Sequence, residues 1–585
     1  MSTDLITEHL DLWTSAITYN NGKGKGRGKN GESELTGIQK LRELILELAV
    51  RGKLVPQDPE DEPASKLLER IEVEKARLYK EGKIKKPKKL PEVTEEEKPF
   101  ELPPGWKWVR LGNIGQIVGG GTPKSGEPSF WSEDGVKWLT PADLYGFDEK
   151  YIFSGRRDIS WEGLERSSAT LMPKGSVLFS SRAPIGYVAI AGGPLSTNQG
   201  FKSCVPYVEG MSEYLFYFLK RSGQLIHEAA SGTTFKEISG SKMAQVLVAL
   251  PPQNEQSRIV EKVDELMALC DRLEQQTSDQ ISAHETLVDT LLDTLTRSQD
   301  AAELAGNWAR LAEHFDTLFT TEHSIDRLEQ TILQLAVMGR LVPQDPNEEP
   351  ASVLLERIEG EKERLVAEGR IKPPKKLSGN QVEEPSFQLP DGWVWVTLTQ
   401  LGVFSGGKTP RKSNGDYWNG KIPWVTPKDM GSEDIFDSVD HVTDKAIQDG
   451  LDLHEAGGLL FVVRSGILRR SFPVAITQTQ CAVNQDLKAV SFFDDKVNKY
   501  VRLMLKGYEK YIVANLTKTG TTVESLKVDE FVSQKFPLPP FEEQNRIIKK
   551  VDELMALCEH LKAHLIEANK VQTELAESIV NKAVA

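Results

Sequence analysis

Residues 48–90 read LAVRGKLVPQDPEDEPASKLLERIEVEKARLYKEGKIKKPKKL, and residues 335–377 read LAVMGRLVPQDPNEEPASVLLERIEGEKERLVAEGRIKPPKKL. Leu48 aligns with Leu335 and Ala49 with Ala336, a shift of 287 residues. The shift persists outward, where LPPGWKWVRLGNIG from Leu102 matches LPDGWVWVTLTQLG from Leu389. It is 288 where LPPQNEQSRIVEKVDELMALC from Leu250 meets LPPFEEQNRIIKKVDELMALC from Leu538. Self-similarity at a fixed period marks a structural unit used more than once. The chain is therefore one unit copied twice.

Between the near-identical frames lie two divergent segments, about 106–250 and 393–538. They share a thin skeleton: Thr122-Pro123 with Thr409-Pro410, Trp131 with Trp418, Thr140-Pro141 with Thr426-Pro427, Asn198-Gln199 with Asn484-Gln485, and Gly232-Thr233-Thr234 with Gly520-Thr521-Thr522. The natural reading is one fold with two surfaces. A duplicated frame holding unlike inserts points to a symmetric task for the frame and two different contacts for the inserts.

The frame is helical. Residues 36–51 and 323–338 carry helical apolar spacing and stop at Gly52 and Gly339, where glycine can take the left-handed conformation that ends a helix. Pro63 and Pro350 each open a second amphipathic helix. Gly82 and Gly369 introduce KIKKPKKLP and RIKPPKKL, basic proline-bearing stretches that read as exposed linkers. After each insert, Ile259, Val263, Leu266, Cys270 and Leu273 follow a 4-3-4-3 spacing, as do Ile547, Val551, Leu554, Cys558 and Leu561. Each helix thus offers a narrow apolar seam suited to a partner helix, and the two are expected to pair; an ordinary bundle helix is the alternative. In the first, the seam meets Thr277, Gln280 and His284 before apolar positions return at Leu287 and Leu291. The inserts look mixed and strand-rich, with short runs such as SVLFSS (176–181), YVAIAG (187–192), GLLFVV (458–463) and PVAITQ (473–478).

Bulk properties bound the function. At 585 residues the chain holds two to four domains. No run approaches the roughly 18 to 20 apolar residues of a membrane span, and the acidic start MSTDLITEHLDLW lacks a secretory signal's pattern. A cytoplasmic location without membrane association is expected. Asn20 to Gly31, NNGKGKGRGKNG, has little to bury and reads as a flexible tether within an N-terminal tail of residues 1–34. Cys204, Cys270, Cys481 and Cys558 are too few and too scattered for a disulfide framework or structural zinc, so no metal site is expected. A net charge of -14 argues against a protein that coats DNA by counterion release alone.

Catalytic signatures are missing as well. Leu538-Pro539-Pro540-Phe541 looks like the Pro-Pro-aromatic tetrapeptide of an adenine methyltransferase, but leucine cannot accept a hydrogen bond from a base's amino group. Its twin Leu250-Pro251-Pro252-Gln253 sits at the same frame junction, so both read as strand-to-helix elbows. Gly119 to Ser125 is glycine-rich, but its lysine falls at the wrong spacing for a phosphate-cradling loop. His227, His441 and His454 show no ligand spacing. No catalytic residue is assigned.

The repeated frame, the two variable inserts, the LPP-(x)3-Q-x-R-I entry into each long helix (Leu250 to Ile259, Leu538 to Ile547) and the G-W-x-W-V-x-L opening of each insert (Gly105 to Leu111, Gly392 to Leu398) resemble type I restriction-modification DNA specificity subunits. The resemblance covers nearly the whole chain from about Leu35. It implies an α+β architecture: two α/β target-recognition domains separated by a pair of long antiparallel coiled-coil-like helices, in a pseudo-two-fold duplication. It implies a first helical region and linker at 35–105, target-recognition domains at 106–250 and 393–538, a central long helix at 251–298, a second helical region and linker at 299–392, and a C-terminal long helix at 539–585. It also implies reading of a bipartite asymmetric site on double-stranded DNA, docking of two methyltransferase subunits, and motor-nuclease subunits that restrict unmodified DNA. No cofactor is expected in this chain, with S-adenosylmethionine, ATP and Mg2+ on the partners. The competing reading is a non-catalytic protein-interaction scaffold with two divergent binding domains.

Residues 106–250 carry a net charge of +2 and residues 393–537 a net +1, leaving -17 elsewhere. Near-neutral readers on an acidic scaffold would thus borrow phosphate affinity from partners. Polar side chains near turns are the candidate DNA contacts: Lys124, Ser125, Arg182, Asn198, Gln199, Thr233, Thr234 and Lys236 in the first insert, and Lys408, Arg411, Lys412, Arg464, Arg469, Arg470, Asn484, Gln485, Thr521 and Thr522 in the second. Arginine can bridge guanine O6 and N7, and Asn or Gln can pair with adenine. Pairs shared by both inserts serve equally well as fold-supporting turns or phosphate contacts. Different half-sites need unshared residues, which favours Lys236, Arg411, Arg469 and Arg470. Trp131, Trp138, Trp418 and Trp424 read as core anchors. Two readers on one face of DNA are expected roughly one turn, about 34 to 36 Å, apart.

Overall fold

The computed structural model describes residues 6–19, 33–182, 184–228, 230, 236–298, 301–371, 387–520 and 523–584. It divides into two compact units: residues 1–280 with 567–585, and residues 281–566. Each unit repeats one plan.

In unit 1 the frame supplies α1 (Thr36–Val50) and α2 (Ala64–Lys80). The insert enters through β1 (Lys107–Arg110) and continues with β2 (Gly115–Gly119), β3 (Trp131–Ser132), β4 (Val136–Leu139), β5 (Tyr151–Ile152), β6 (Arg157–Ile159), β7 (Val177–Ser181), β8 (Ile185–Ala191), β9 (Ser196–Thr197) and β10 (Lys202–Pro206). Then come α3 (Ser212–Glu228), β11 (Leu247–Leu250) and the long α4 (Gln253–Arg297). A mixed five-stranded sheet has the order β2-β10-β7-β8-β5, and a smaller sheet the order β9-β4-β6-β3. Strands β7 and β8 are buried along much of their length, which is why VLFSS and YVAIA read as apolar runs rather than alternating ones.

Unit 2 repeats this order. Helices α5 (Glu322–Val337) and α6 (Ala351–Ala367) precede β12 (Val394–Thr397), β13 (Gly402–Gly406), β14 (Trp418–Val425), β15 (Asp434–Ile435), β16 (Asp440–Val442), β17 (Leu459–Val462), β18 (Val474–Thr477), β19 (Ala482–Val483) and β20 (Leu487–Phe492). Helix α7 (Asn498–Gly507), β21 (Lys535–Leu538) and the long α8 (Phe541–Val584) complete it. The sheet orders are β13-β20-β17-β18-β15, as in unit 1, and β16-β14-β19, where the long β14 takes the place of both β3 and β4. One insert fold built twice is thus observed directly.

The two ends of each insert are tied together. Strand β1 pairs antiparallel with β11, Lys107 facing Leu250, and β12 pairs with β21, Val394 facing Leu538. Pro-Pro then turns the chain from strand to helix, with Gln256 Nε2 donating to the Pro251 carbonyl and Gln544 Nε2 to that of Pro539, each at 3.0 Å. Both LPP elbows are therefore strand-to-helix corners with Leu250 and Leu538 fully buried.

A buried carboxylate joins frame, insert and long helix at the same corner. Glu255 accepts from Trp106 Nε1 at 2.9 Å and Gln57 Nε2 at 2.8 Å. Glu543 accepts from Trp393 Nε1 at 2.9 Å and Gln344 Nε2 at 2.6 Å. Both glutamates are about 1% exposed, and burial pushes their carboxyl pKa above the ordinary glutamate value against the pull of those hydrogen bonds.

The long helices run 45 and 44 residues, about 66 to 68 Å at 1.5 Å per residue. Each begins in one unit and ends in the other. Ile259, Val263, Leu266 and Cys270 are buried in unit 1 and Leu273 half-buried. In unit 2, Ile547, Val551 and Cys558, with Leu554 and Leu561 beside them, share one core with Leu328 and Ile332 of α5, Tyr500 and Met504 of α7, and Val288, Leu292 and Leu295 from the end of α4. The return of apolar contact in α4 thus centres on 288, 292 and 295, with Leu291 half-buried beside them as expected, whereas Leu287 is 51% exposed. A straight helix explains this. Residue 288 lies 29 residues past Ile259, about eight turns of 3.6, whereas residue 287 keeps the 3.5 repeat of a supercoil.

Residues 6–19 correct the expectation of a flexible tail from 1 to 34. Ile6, Trp13 and Ala16 are fully buried, and helix Leu10–Ser15 packs so closely on the start of α1 that a Cβ on Gly37 would stand 2.4 Å from the Trp13 carbonyl oxygen. Four turns or fewer of sparse apolar residues gave too short a periodic signal. The glycine-rich stretch at 20–31 lies outside the described residues.

Candidate nucleic-acid interface

In each insert the glycine-rich loop after the first sheet strand is clamped against the Asn-Gln turn. A Cβ on Gly120 would lie 1.9 Å from the Asn198 carbonyl oxygen, and one on Gly407 would lie 2.1 Å from that of Asn484, so only glycine permits the approach. Gly121 N donates to the Thr197 carbonyl at 2.8 Å, and Lys408 N to that of Val483 at 3.1 Å. Thr122 donates to the Gln199 side chain, and Thr409 to that of Gln485. The asparagines serve their own turn: Asn198 Oδ1 accepts from Gly200 N at 2.8 Å and Asn484 Oδ1 from Asp486 N at 3.0 Å. The shared Asn-Gln pairs thus build the rim in both units.

Tryptophans hold the loop from the other side. Trp138 Nε1 donates to the Gly121 carbonyl at 2.9 Å, Trp424 Nε1 to that of Lys408 at 3.2 Å, and Trp418 Nε1 to that of Arg411 at 3.2 Å. Trp131 meets Trp138 edge-on at 5.4 Å and 81°, and Trp418 meets Trp424 at 5.0 Å and 89°. The four indoles are anchors, and what the loops present outward is Lys124 and Ser125 in unit 1 and Lys408, Arg411 and Lys412 in unit 2, all exposed.

The remaining candidates extend the same two rims. Arg182 pairs by its backbone with Glu237, next to exposed Lys236. Lys202 joins them, its Nζ donating to the Gln199 carbonyl at 3.2 Å and to Glu237 at 3.3 Å. Sequence reasoning passed over Lys202 and its counterpart Lys488, although both stand four residues after the Asn of the shared Asn-Gln pair. In unit 2, Arg464 reaches Asp486 at 2.7 Å, and Arg469 donates to Glu524 at 2.5 Å and holds that carboxyl below the ordinary glutamate range. Arg464 also pairs by its backbone with Ser525, and Arg470 is exposed. Thr233, Thr234, Thr521 and Thr522 lie outside the described residues.

The two small sheets carry opposite charges at one matched position. Arg157 on β6 faces Trp138 across the sheet, with its guanidinium 3.5 Å above the Trp131 ring. At the same register, Asp440 on β16 faces Trp424, 3.8 Å from Lys428 Nζ.

Other groups offer little chemistry. All four cysteines are free and buried, and burial raises each thiol pKa above its ordinary value. Among the described residues no three His, Cys, Asp or Glu side chains are grouped to hold a metal ion, and no helix is long and apolar enough to cross a membrane.

Two repeats of one insert fold, each joined to a helical frame and each lined with hydrogen-bonding side chains, define a duplicated recognition protein. The family described as type I restriction modification DNA specificity domain matches it twice, over residues 103–283 and 390–569, and the chain belongs to that family of type I restriction-modification specificity subunits. It is 38% identical over 99% of both chains to the Type I restriction enzyme EcoAI specificity subunit of Escherichia coli. It is 35% identical, again over 99% of both, to the EcoEI specificity subunit of the same organism. A solved structure from work on complex assembly and conformational transition of the type I R-M system has the same fold, with a TM-score of 0.50 at 19% identity over 83% of this chain and 99% of that one.

Proposed function

We propose that each insert domain reads one half of a split, asymmetric site on double-stranded DNA, and that the chain itself makes and breaks no bonds. The observation that carries this reading is the pair of clamped rims: the same Thr-Gln and Asn scaffold in both units, surrounded by side chains that differ. Shared groups suit the DNA backbone, which is alike at both half-sites, and unshared ones suit base edges.

The frame then docks two methyltransferase subunits, and motor-nuclease subunits join that assembly to restrict unmodified DNA. S-adenosylmethionine, ATP and Mg2+ belong to those partners, and the site of action is the cytoplasm. Adenine methylation requires the base to leave the stack and enter a pocket on the methyltransferase.

Sequence-selective binding is the test. The chain combined with its methyltransferase partner is expected to protect one bipartite sequence from nuclease digestion and to methylate adenines there, while the purified chain alone transfers no methyl groups. Protection without sequence preference in the presence of the partner would overturn the reading and favour a protein-interaction scaffold.

A further inference from the structure

We propose that the residue facing the inner tryptophan of each small sheet, Arg157 in the first insert and Asp440 in the second, discriminates a base in its half-site. This rests on the DNA reading above. Arg157 opposite Trp138 and Asp440 opposite Trp424 occupy one register position of one fold, beside the same edge-on indole pair. The indole pair beside that position is kept between the copies, while the next pair along the sheet changes from Lys137 opposite Asp158 to Pro423 opposite His441. The side chain at the position itself changes from a cation to an anion.

The change of charge is not imposed by the indole pair beside it, which is common to both copies. The position also borders the rim, because Trp138 donates to the Gly121 carbonyl of the loop that presents Lys124 and Ser125, and Trp424 donates to that of Lys408. Arg157 is exposed and, among the described residues, makes no ion pair; its guanidinium carbon lies over the Trp131 ring, 3.5 Å from the centroid. Stacking holds the planar fork in place before binding, which lowers the ordering cost of a bidentate contact. Such a fork matches guanine O6 and N7. Asp440 accepts hydrogen bonds only, so its matching base edge is an exocyclic amine, cytosine N4 in the major groove.

The test uses the full chain in complex with its methyltransferase partner, with the methylated motif read by sequencing host DNA. Arg157→Gln and Arg157→Lys are expected to lower the preference for guanine at one position of one half-site by about tenfold or more, leaving the other half-site intact. Asp440→Asn is expected to relax a cytosine in the other half-site alone. Lysine keeps a cation on the indole and asparagine keeps the shape of aspartate, so relaxed reading by these two is not a consequence of unfolding. Unchanged base preference at every position in all three variants overturns the proposal, as does a half-site lacking the expected base. Methylation by the unmutated complex without any sequence preference instead overturns the DNA reading on which it rests.

Discussion

Glu255 stands in the first turn of a long helix, where a carboxylate ordinarily faces water and serves the helix dipole. Here it is buried between an indole N–H and an amide, as is Glu543 in the second copy. Glu255→Ala leaves the buried Trp106 N–H unpaired, whereas Gln57 is exposed and still donates to the Gly52 carbonyl, so the change is expected to cost about 1 to 3 kcal/mol, measured by urea denaturation. The pH dependence has a definite sign. Because burial raises the folded-state pKa of Glu255 and Glu543, their contribution is most favourable at or below the ordinary glutamate pKa of about 4.3 and declines as pH rises through the folded value. Asp61 runs the other way. The hydrogen bond from Arg258 holds it below the ordinary aspartate value, so its contribution is complete above about pH 3.9 and is lost as pH falls through its folded pKa. The double variant Glu255→Gln with Glu543→Gln should therefore flatten the fall in stability above about pH 4.3 and leave the acid-side loss in place. An unaltered slope would refute that assignment. At this scale the sequence was only partly legible. The four tryptophans were read as core anchors, and each packs against a small-sheet core or lies buried in it. The carboxylate's partners lie 149 and 198 residues away, a separation that no local pattern encodes.

Helices and their ends were more legible, because periodicity and caps are local. Gly52 and Gly339 terminate α1 and α5 with φ of +66° and +68°, as the glycine position foretold. Pro63 and Pro350 sit one residue before the first helical position rather than on it. What the elements say to each other was hidden. In unit 1, Arg42 of α1 bonds Asp271 and Glu274 of α4, both at 2.6 Å, and Lys40 lies 3.7 Å from Glu577 of α8. In unit 2, Arg327 of α5 bonds Asp289 of α4 at 2.5 Å, and Lys562 of α8 bonds Glu329 at 2.8 Å. The shifts of 287 and 288 equate Arg42 with Glu329 and Glu274 with Lys562, so the copies keep this ion pair and reverse its sign. Each frame helix is thereby matched to its own long helix, since α1 laid on α8 would set Arg42 against Lys562. Arg42→Glu is expected to cost about 1 kcal/mol, and adding Glu274→Arg should recover part of it, as read from a thermal double-mutant cycle. Simple additivity of the two changes would show that the pair contributes nothing.

The plan of the whole molecule was the most legible of all, because a copied sequence announces itself whatever its parts do. Two units of one design emerge. The exchange of helix ends could not be seen beforehand. Residues 567–585 belong to unit 1, with Ala576 buried there, and residues 281–297 of the first long helix belong to unit 2. Deleting 567–585 should therefore raise hydrogen exchange in α1, hundreds of residues away in sequence, while the sheets of unit 2 keep their protection. Loss of protection confined to unit 2 would count against this partition.

That exchange also fixes a timetable for biogenesis. The ribosome makes the amino-terminal body first but supplies its closing helical turns only after the entire second body has been translated. Throughout that interval the partners of Ala576 and Glu577 wait without them. A lesion in residues 567–585 is thus expected to register in the amino-terminal unit, far away in sequence, rather than in the unit made just before them.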